Sequence, residues 1–242
     1  MITWCLQECD HIITVCEALK DLIIPLGIPS SKITVIGNGI DTKQFYPIPK
    51  ALSRKTLGMP GDRPILLSLG ILESRKGHHL LIEALHIVKS KEKIFPVLYI
   101  IGGGPYREDL AKLRIQLGLE SDVILVGEIP HQELRQWYSA ADLLCLASDS
   151  EGWPNVLLES MACGTPVVAS AVFGIPEVVT DSKLGLIVPT RTSEAFAAII
   201  LKALKKLWDQ EELVSHAKQH TWDQVAKSVE NVFRRVVASR GE

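Results

Sequence analysis

The chain has 242 residues; 47% are hydrophobic, 22% are charged, and the formal net charge is −2. At this length a chain buries roughly 70% of the surface it exposes unfolded, so a core forms without disulfide or metal staples. The ordinary composition excludes collagen-like, low-complexity and disordered classes, and the faintly acidic balance argues against a dedicated nucleic-acid binder, whose footprint is basic.

In chain order, apolar runs predict strands over 12–15, 33–36, 65–69, 97–101, 123–126, 143–146, 167–169 and 186–188. Most are continuous rather than alternating, the pattern of strands covered on both faces. A helix follows the first of them. Further helices are predicted over 78–91, where Leu81, Leu85 and Val88 recur at helical spacing, and over 105–117, with Pro105 near the start and Gly118 past the end. The remaining helical patterns cover 132–140, 155–163, 194–208 and 223–237. Strand and helix alternate with short connections, which predicts an α/β, doubly wound, Rossmann-like parallel sheet.

Such a sheet binds its ligand beyond the carboxyl ends of its strands. The segments there are 70–77, 102–105, 127–130, 147–155 and 170–177, and they are rich in glycine. Glycine suits a backbone that approaches a ligand closely. The segment 151–159, EGWPNVLLE, is the most informative. A helix beginning near Pro154 and Asn155 would turn its free N–H groups toward the crevice, an arrangement fit for phosphate. Two carboxylates beside a phosphate would repel it, so Glu151 and Glu159 make sense as acceptors for sugar and ribose hydroxyls. The other reading is a capped core helix carrying two solvated glutamates. Spacing alone leaves both open.

Residues 151–177, EGWPNVLLESMACGTPVVASAVFGIPE, closely resemble the donor-site signature of family 4 glycosyltransferases, retaining enzymes of the GT-B fold. The resemblance extends through Gly102-Gly103-Gly104-Pro105, Lys76-Gly77 and Asn38-Gly39-Ile40-Asp41, and so over nearly the whole chain. It implies that Glu151 contacts the transferred sugar and Glu159 the ribose hydroxyls. The loop Gly152, Trp153, Pro154, Asn155 and Val156 would meet the sugar and its phosphate. Lys76 would clamp the diphosphate. Gly70 would lie beside that clamp, and Gly102, Gly103, Gly127 and Ile129 where the base packs. Many members have an arginine after the glycine matching Gly70, where this chain has Ile71; Arg75 is the candidate substitute, the other reading being that it is simply solvated. The implied substrate is a nucleotide-diphosphate sugar, with UDP favoured over GDP, and no cofactor or metal is expected. Asp149-Ser150-Glu151 looks like the D-x-D metal motif of another fold but sits in a different context.

The resemblance also sets an expectation for organisation. Residues 1–50 match a remnant of the family's first domain and the crossing from it, 51–220 the donor-binding domain, and 221–242 the helix that crosses back. The acceptor-binding domain, with its histidine and glycine-rich loop, has no counterpart here. The chain is then the donor half of a glycosyltransferase, one subunit of a split enzyme whose partner supplies the acceptor half, or a non-catalytic nucleotide-sugar-binding module. Apolar surface, open to self-association, is expected around the first 50 residues and the last helix. An epimerase fits the Glu151/Glu159 pattern poorly. Gly102-Gly103-Gly104-Pro105 lacks the full dinucleotide fingerprint of an NAD enzyme.

Smaller features have simpler readings. Five cysteines, Cys5, Cys9, Cys16, Cys145 and Cys163, are odd in number and contain no C-x-x-C pair, which suits a reducing compartment. Cys145 reads as core. His78 and His79 read as capping or packing residues at a helix start. Residues 1–10 lack the basic start and apolar stretch of a signal peptide, and no apolar run approaches the ~20 residues of a membrane span. A cytoplasmic protein is expected. Family members often act on lipid-linked acceptors, which extends the expectation to the membrane periphery. The basic stretch Lys202, Lys205 and Lys206, interleaved with Leu201, Leu204 and Leu207, reads as an ordinary solvated helix face.

Overall fold

The computed structural model describes residues 2–92 and 94–240; the outermost positions of the first and last predicted segments, 1 and 241–242, lie outside them. The predicted strands form two parallel sheets. The small one pairs β1 (Ile12–Thr14) with β2 (Ile33–Val35) over its own apolar cluster of Ile12, Ile28 and Ile33. The large one contains β3 (Ile65–Leu69), β4 (Val97–Ile101), β5 (Val123–Gly127), β6 (Leu143–Leu146), β7 (Val167–Ser170) and β8 (Gly185–Val188). Its spatial order is β5-β4-β3-β6-β7-β8, parallel throughout. The chain enters in the middle, builds outward to β5, then returns beside β3 and builds the other way. The junction of β3 and β6 is therefore the topological switch point, where the connections leave in opposite directions and open a crevice.

The continuous apolar runs have the reason the sequence suggested. Every residue of β3, β6 and β7 is buried, and successive side chains enter opposite cores. Ile65, Leu67 and Leu69 join Leu157, Leu158 and Met161 on one side of the sheet, while Leu66 joins Leu81, Leu85 and Phe196 on the other.

The helices are α1 (Ile2–Glu8), α2 (Glu17–Ile23), α3 (Lys50–Leu57), α4 (His78–Lys91), α5 (Arg107–Gln116), α6 (Leu134–Ala140), α7 (Asn155–Ala162), α8 (Ile175–Val178), α9 (Ser193–Lys205), α10 (Gln210–Lys218) and α11 (Trp222–Arg240). Three differences from the sequence reading have identifiable causes. The run 194–208 ends at Lys205, because Lys206 turns extended and the Trp208 indole N–H, with the Lys206 N–H, donates to the Ala203 carbonyl, at 2.9 Å from the indole. Asp209 then caps α10 by accepting from the Glu211 and Glu212 N–H groups. The helix predicted over 132–140 begins at Leu134, preceded by a 3₁₀ turn at His131–Glu133. α3, not among the predicted helices, is held by a polar network. Buried Arg54 donates to the Ala140 carbonyl and to Asp142, which also takes Lys50 Nζ and the Ile65 N–H.

Two segments cross between the sheets side by side. Ile40 N–H donates to the His220 carbonyl at 2.7 Å, and Ile40 bridges Thr221. Large apolar side chains stand exposed on α1 (Ile2, Trp4), α2 (Leu22) and α11 (Phe233, Val237). Among the described residues, no helix is long and apolar enough to cross a membrane.

Candidate functional site

Gly70, Gly102 and Gly127 end or follow the adjacent strands β3, β4 and β5. A register shift between Ile100 and Ile101 lets Gly102 N–H reach the Gly127 carbonyl at 2.8 Å. Gly102 has φ +144°, and a β-carbon built there would stand 2.0 Å from the Gly70 carbonyl oxygen. No side chain fits, so the floor of the crevice is bare backbone. Gly103 lies under the Glu128 carboxylate, and Ile129 packs partly buried against the core.

The walls meet at the switch point. Lys76 comes from the β3–α4 loop and Glu151 from the β6–α7 loop, and Lys76 Nζ lies 2.5 Å from Glu151 Oε1. Both side chains are only 14% exposed, so the pair is far less screened than a surface ion pair. Ser148 Oγ donates to the same carboxylate oxygen at 2.7 Å. The two loops are fastened independently. Asp149 N–H donates to the Arg75 carbonyl, and Arg191 donates to the Ala147 and Arg75 carbonyls. Gly77, at φ +67°, abuts the Ala147 carbonyl.

Pro154 is the residue before the first turn of α7, and Asn155 begins the helix. Asn155 Oδ1 accepts from Asn38 Nδ2, tying the helix start to the crossing segment. Val156 packs against the core. Gly152 is held from below: Gly174 N–H donates to the Glu151 carbonyl at 3.2 Å, and Gly174 lies directly against the Gly152 carbonyl. Phe173, just before it and 38% exposed, holds φ +43°, a left-handed conformation that costs a non-glycine residue about 1–2 kcal/mol.

The second carboxylate overturns the solvated reading. Glu159 is 5% exposed and lies one turn inside α7. Tyr138 OH donates to its Oε2 at 2.6 Å, and His131 Nε2 lies 3.0 Å from its Oε1. Burial above all, with Glu159 beside it, pushes the Tyr138 hydroxyl pKa well above its ordinary value, so Tyr138 remains a donor.

The other predicted residues do not all converge. Arg75 is exposed and pairs with Glu73 Oε2 at 2.7 Å, while Ile71, at the position where many family members have an arginine, is 43% exposed. The Trp153 ring packs on Gly37 and lies 6.2 Å from the His220 ring, so it fastens the loop to the crossing segments. His78 is wholly buried with Nδ1 3.0 Å from Ser68 Oγ, and burial, with the Lys76 charge adding, lowers its pKa to about 4. Burial pushes the Cys145 and Cys163 thiols up to about 12. Sequence reasoning missed Ser148, Tyr138 and His131. His131 directly follows the 127–130 loop, so extending that loop by one residue would have found it.

A cavity of about 800 Å³ opens at the opposite, amino ends of β3, β6 and β7. Its Arg54 and Arg63 are already paired with Asp142 and Asp122. The switch-point crevice is where fixed donors and acceptors face an approaching ligand.

Known proteins resemble this chain in sequence and in fold. Residues 49–220 match the family described as glycosyl transferases group 1, and residues 1–44 match Glycosyltransferase Family 4. The chain is 30% identical over 241 residues to D-inositol 3-phosphate glycosyltransferase of Mycobacteroides abscessus, covering 96% of this chain and 53% of that protein. It is 32% identical to the enzyme of the same name from Thermobispora bispora, covering 91% and 54%. The chain thus spans about half the length of these curated relatives. Among solved structures, sucrose-phosphate synthase from Thermosynechococcus elongatus superposes with a TM-score of 0.82 at 28% identity, covering 98% of this chain and 61% of that one. Anabaena HepE, solved with UDP-glucose, shares the fold with a TM-score of 0.81 at 24% identity, covering 92% and 64%.

Proposed function

This chain belongs to the glycosyl transferases group 1 family, and we propose that it is the donor-binding half of a retaining, family 4 glycosyltransferase that uses a nucleotide-diphosphate sugar. The observation that carries this reading is the meeting of Lys76, Glu151 and the amino end of α7 at the switch point of the sheet. Breaking a sugar–diphosphate bond puts negative charge on the departing diphosphate and positive character on the sugar. Lys76 and the α7 N–H groups serve the first, and the Glu151 carboxylate the second. Lys76 is held by Glu151 before substrate arrives and moves to the diphosphate when it binds. Arg75 joins it by exchanging Glu73 for phosphate. The backbone from Gly152 to Val156 shapes the sugar and phosphate pocket, Glu159 holds the ribose hydroxyls, and the backbone at Gly70, Gly102, Gly103, Gly127 and Ile129 receives the base.

UDP is the favoured nucleotide. The reaction needs no resident cofactor and no metal. Segments 1–50 and 221–242 form the junction with an acceptor-binding half outside these residues, in a longer chain or a partner. The exposed apolar side chains of α1, α2 and α11 support that junction. A cytoplasmic location, at the membrane periphery for a lipid-linked acceptor, belongs to the same reading.

The test is a thermal-shift panel with UDP, GDP, ADP and their sugar conjugates, without added metal. Ligand at ~100 times its dissociation constant adds about 2.7 kcal/mol, which moves the midpoint by roughly 5–11 °C for a domain of this size. A shift with one base and its sugar conjugate is the expected result. A cooperative melt that no nucleotide moves would overturn the donor-site assignment.

A further inference from the structure

His131 stands on the rim of the crevice with its side chain 59% exposed, yet both ring nitrogens are engaged. Gln44 Nε2 lies 3.0 Å from His131 Nδ1 and also donates to the His131 carbonyl at 3.2 Å. A carbonyl can only accept, so the Gln44 nitrogen is the donor at both contacts, and Nδ1 accepts. The ring proton then resides on Nε2, where it is donated to Glu159 Oε1 at 3.0 Å. Phe45, next to Gln44 and 2% exposed, holds the imidazole edge-on at 5.1 Å and Tyr138 at 5.9 Å. The result is a relay from the crossing segment through Gln44 and His131 to one oxygen of Glu159, while Tyr138 fixes the other oxygen.

We propose that His131, oriented by Gln44, is a positioning residue for Glu159 and sets the preference of the site for a ribonucleotide over a deoxyribonucleotide. The inference rests on the donor-site reading above, in which Glu159 receives the ribose hydroxyls. A carboxylate oxygen has two acceptor directions. His131 and Tyr138 each occupy one per oxygen, which holds the carboxylate plane still and leaves one direction on each oxygen for a vicinal pair of hydroxyls. A carboxylate free to rotate would meet one hydroxyl about as well as two. The relay also makes the crossing segment part of the nucleoside site, because Gln44 and Phe45 lie between the two sheets.

The experiment measures affinities of UDP and 2′-deoxyUDP by calorimetry for the whole chain and for His131→Ala, His131→Gln and Gln44→Ala. The chain itself is expected to prefer UDP by about tenfold or more, the worth of a hydrogen bond to a charged acceptor. His131→Ala is expected to bring the two affinities within about threefold of each other, mainly by weakening UDP. His131→Gln, whose Nε2 can occupy the place of the imidazole nitrogen, restores most of the preference, and Gln44→Ala falls between. Equal weakening of both nucleotides by His131→Ala, without rescue by glutamine, overturns the proposal in favour of a merely structural role. An unchanged preference overturns it as well. A chain that binds neither UDP nor 2′-deoxyUDP, and is moved by no nucleotide in the thermal panel, overturns the donor-site reading and this inference with it.

Discussion

Gly174→Ala is the perturbation whose sign depends most directly on the packing of the donor loop. Gly174 has φ −75° and ψ −5°, a conformation alanine adopts freely. On backbone grounds alone the substitution would stabilise the fold by about 0.4–1 kcal/mol, through lost freedom in the unfolded chain. The surroundings reverse that expectation. A β-carbon at 174 would stand 1.8 Å from the Gly152 carbonyl oxygen, whereas real β-carbons stay 3.0 Å or more from such atoms, so the two loops must separate by about 1.2 Å. The Cys16 β-carbon, 3.0 Å from the same point, further narrows the room for the added atom. Overpacking of this kind costs about 1–3 kcal/mol. At 2–4 °C per kcal/mol, the midpoint should fall by roughly 2–12 °C rather than rise by about 1–4 °C. Gly152 belongs to the loop assigned to the sugar and phosphate, and misplacing a reacting group by about 1 Å can cost 10²-fold in rate. The assay is thermal unfolding alongside calorimetric titration with UDP and a UDP-sugar. A variant that melts at or above the parent temperature and binds the UDP-sugar as well as the parent would refute the packing argument.

Two further predictions address charge. Lys76→Met should weaken binding of a nucleoside diphosphate by about tenfold, the smaller end of what a charged hydrogen bond is worth, because Lys76 must first leave Glu151. Glu151→Gln should strengthen or preserve diphosphate binding while weakening the sugar conjugate; calorimetry showing both substitutions acting in the same direction on diphosphate sinks the assignment of the pair. His78 links stability to pH. Its folded pKa of about 4 lies below the ordinary 6.5, so the unfolded chain takes up the proton first as pH falls. The contribution is whole above about pH 6.5 and is lost toward pH 4, and the loss has reached about 2 kcal/mol by pH 5. Denaturant unfolding between pH 5 and 7.5 should show a shallower slope for His78→Asn than for the parent, and equal slopes would remove His78 as the cause.

Much of the architecture is legible along the chain because its causes are local. Buried strands must be continuously apolar, as β3, β6 and β7 are, and a doubly wound order follows from strand–helix alternation. The crevice was legible for the same reason: only glycine permits the crossing of Gly70 and Gly102 backbones at the strand ends. α3 was not legible, because Arg54 and Asp142 hold it across 88 positions rather than through an apolar stripe.

The sequence by itself, through its resemblance to a family, singled out the candidates for the chemistry: Lys76, Glu151, Glu159 and the loop between the two glutamates. Tertiary structure alone decided what each of them meets. It set Lys76 against Glu151 across 75 positions, buried Glu159 between Tyr138 and His131, left Arg75 on Glu73, and turned Trp153 onto Gly37. Glu177, a letter of the signature motif, was recruited to accept from the Glu17 and Ala18 N–H groups at the start of α2, 160 and 159 positions away. Helix and strand periods specify which face of an element is buried, and they operate over a few residues. The partner of a polar side chain is chosen where distant elements converge, and hydrogen-bond geometry at that convergence carries no periodic trace in the chain.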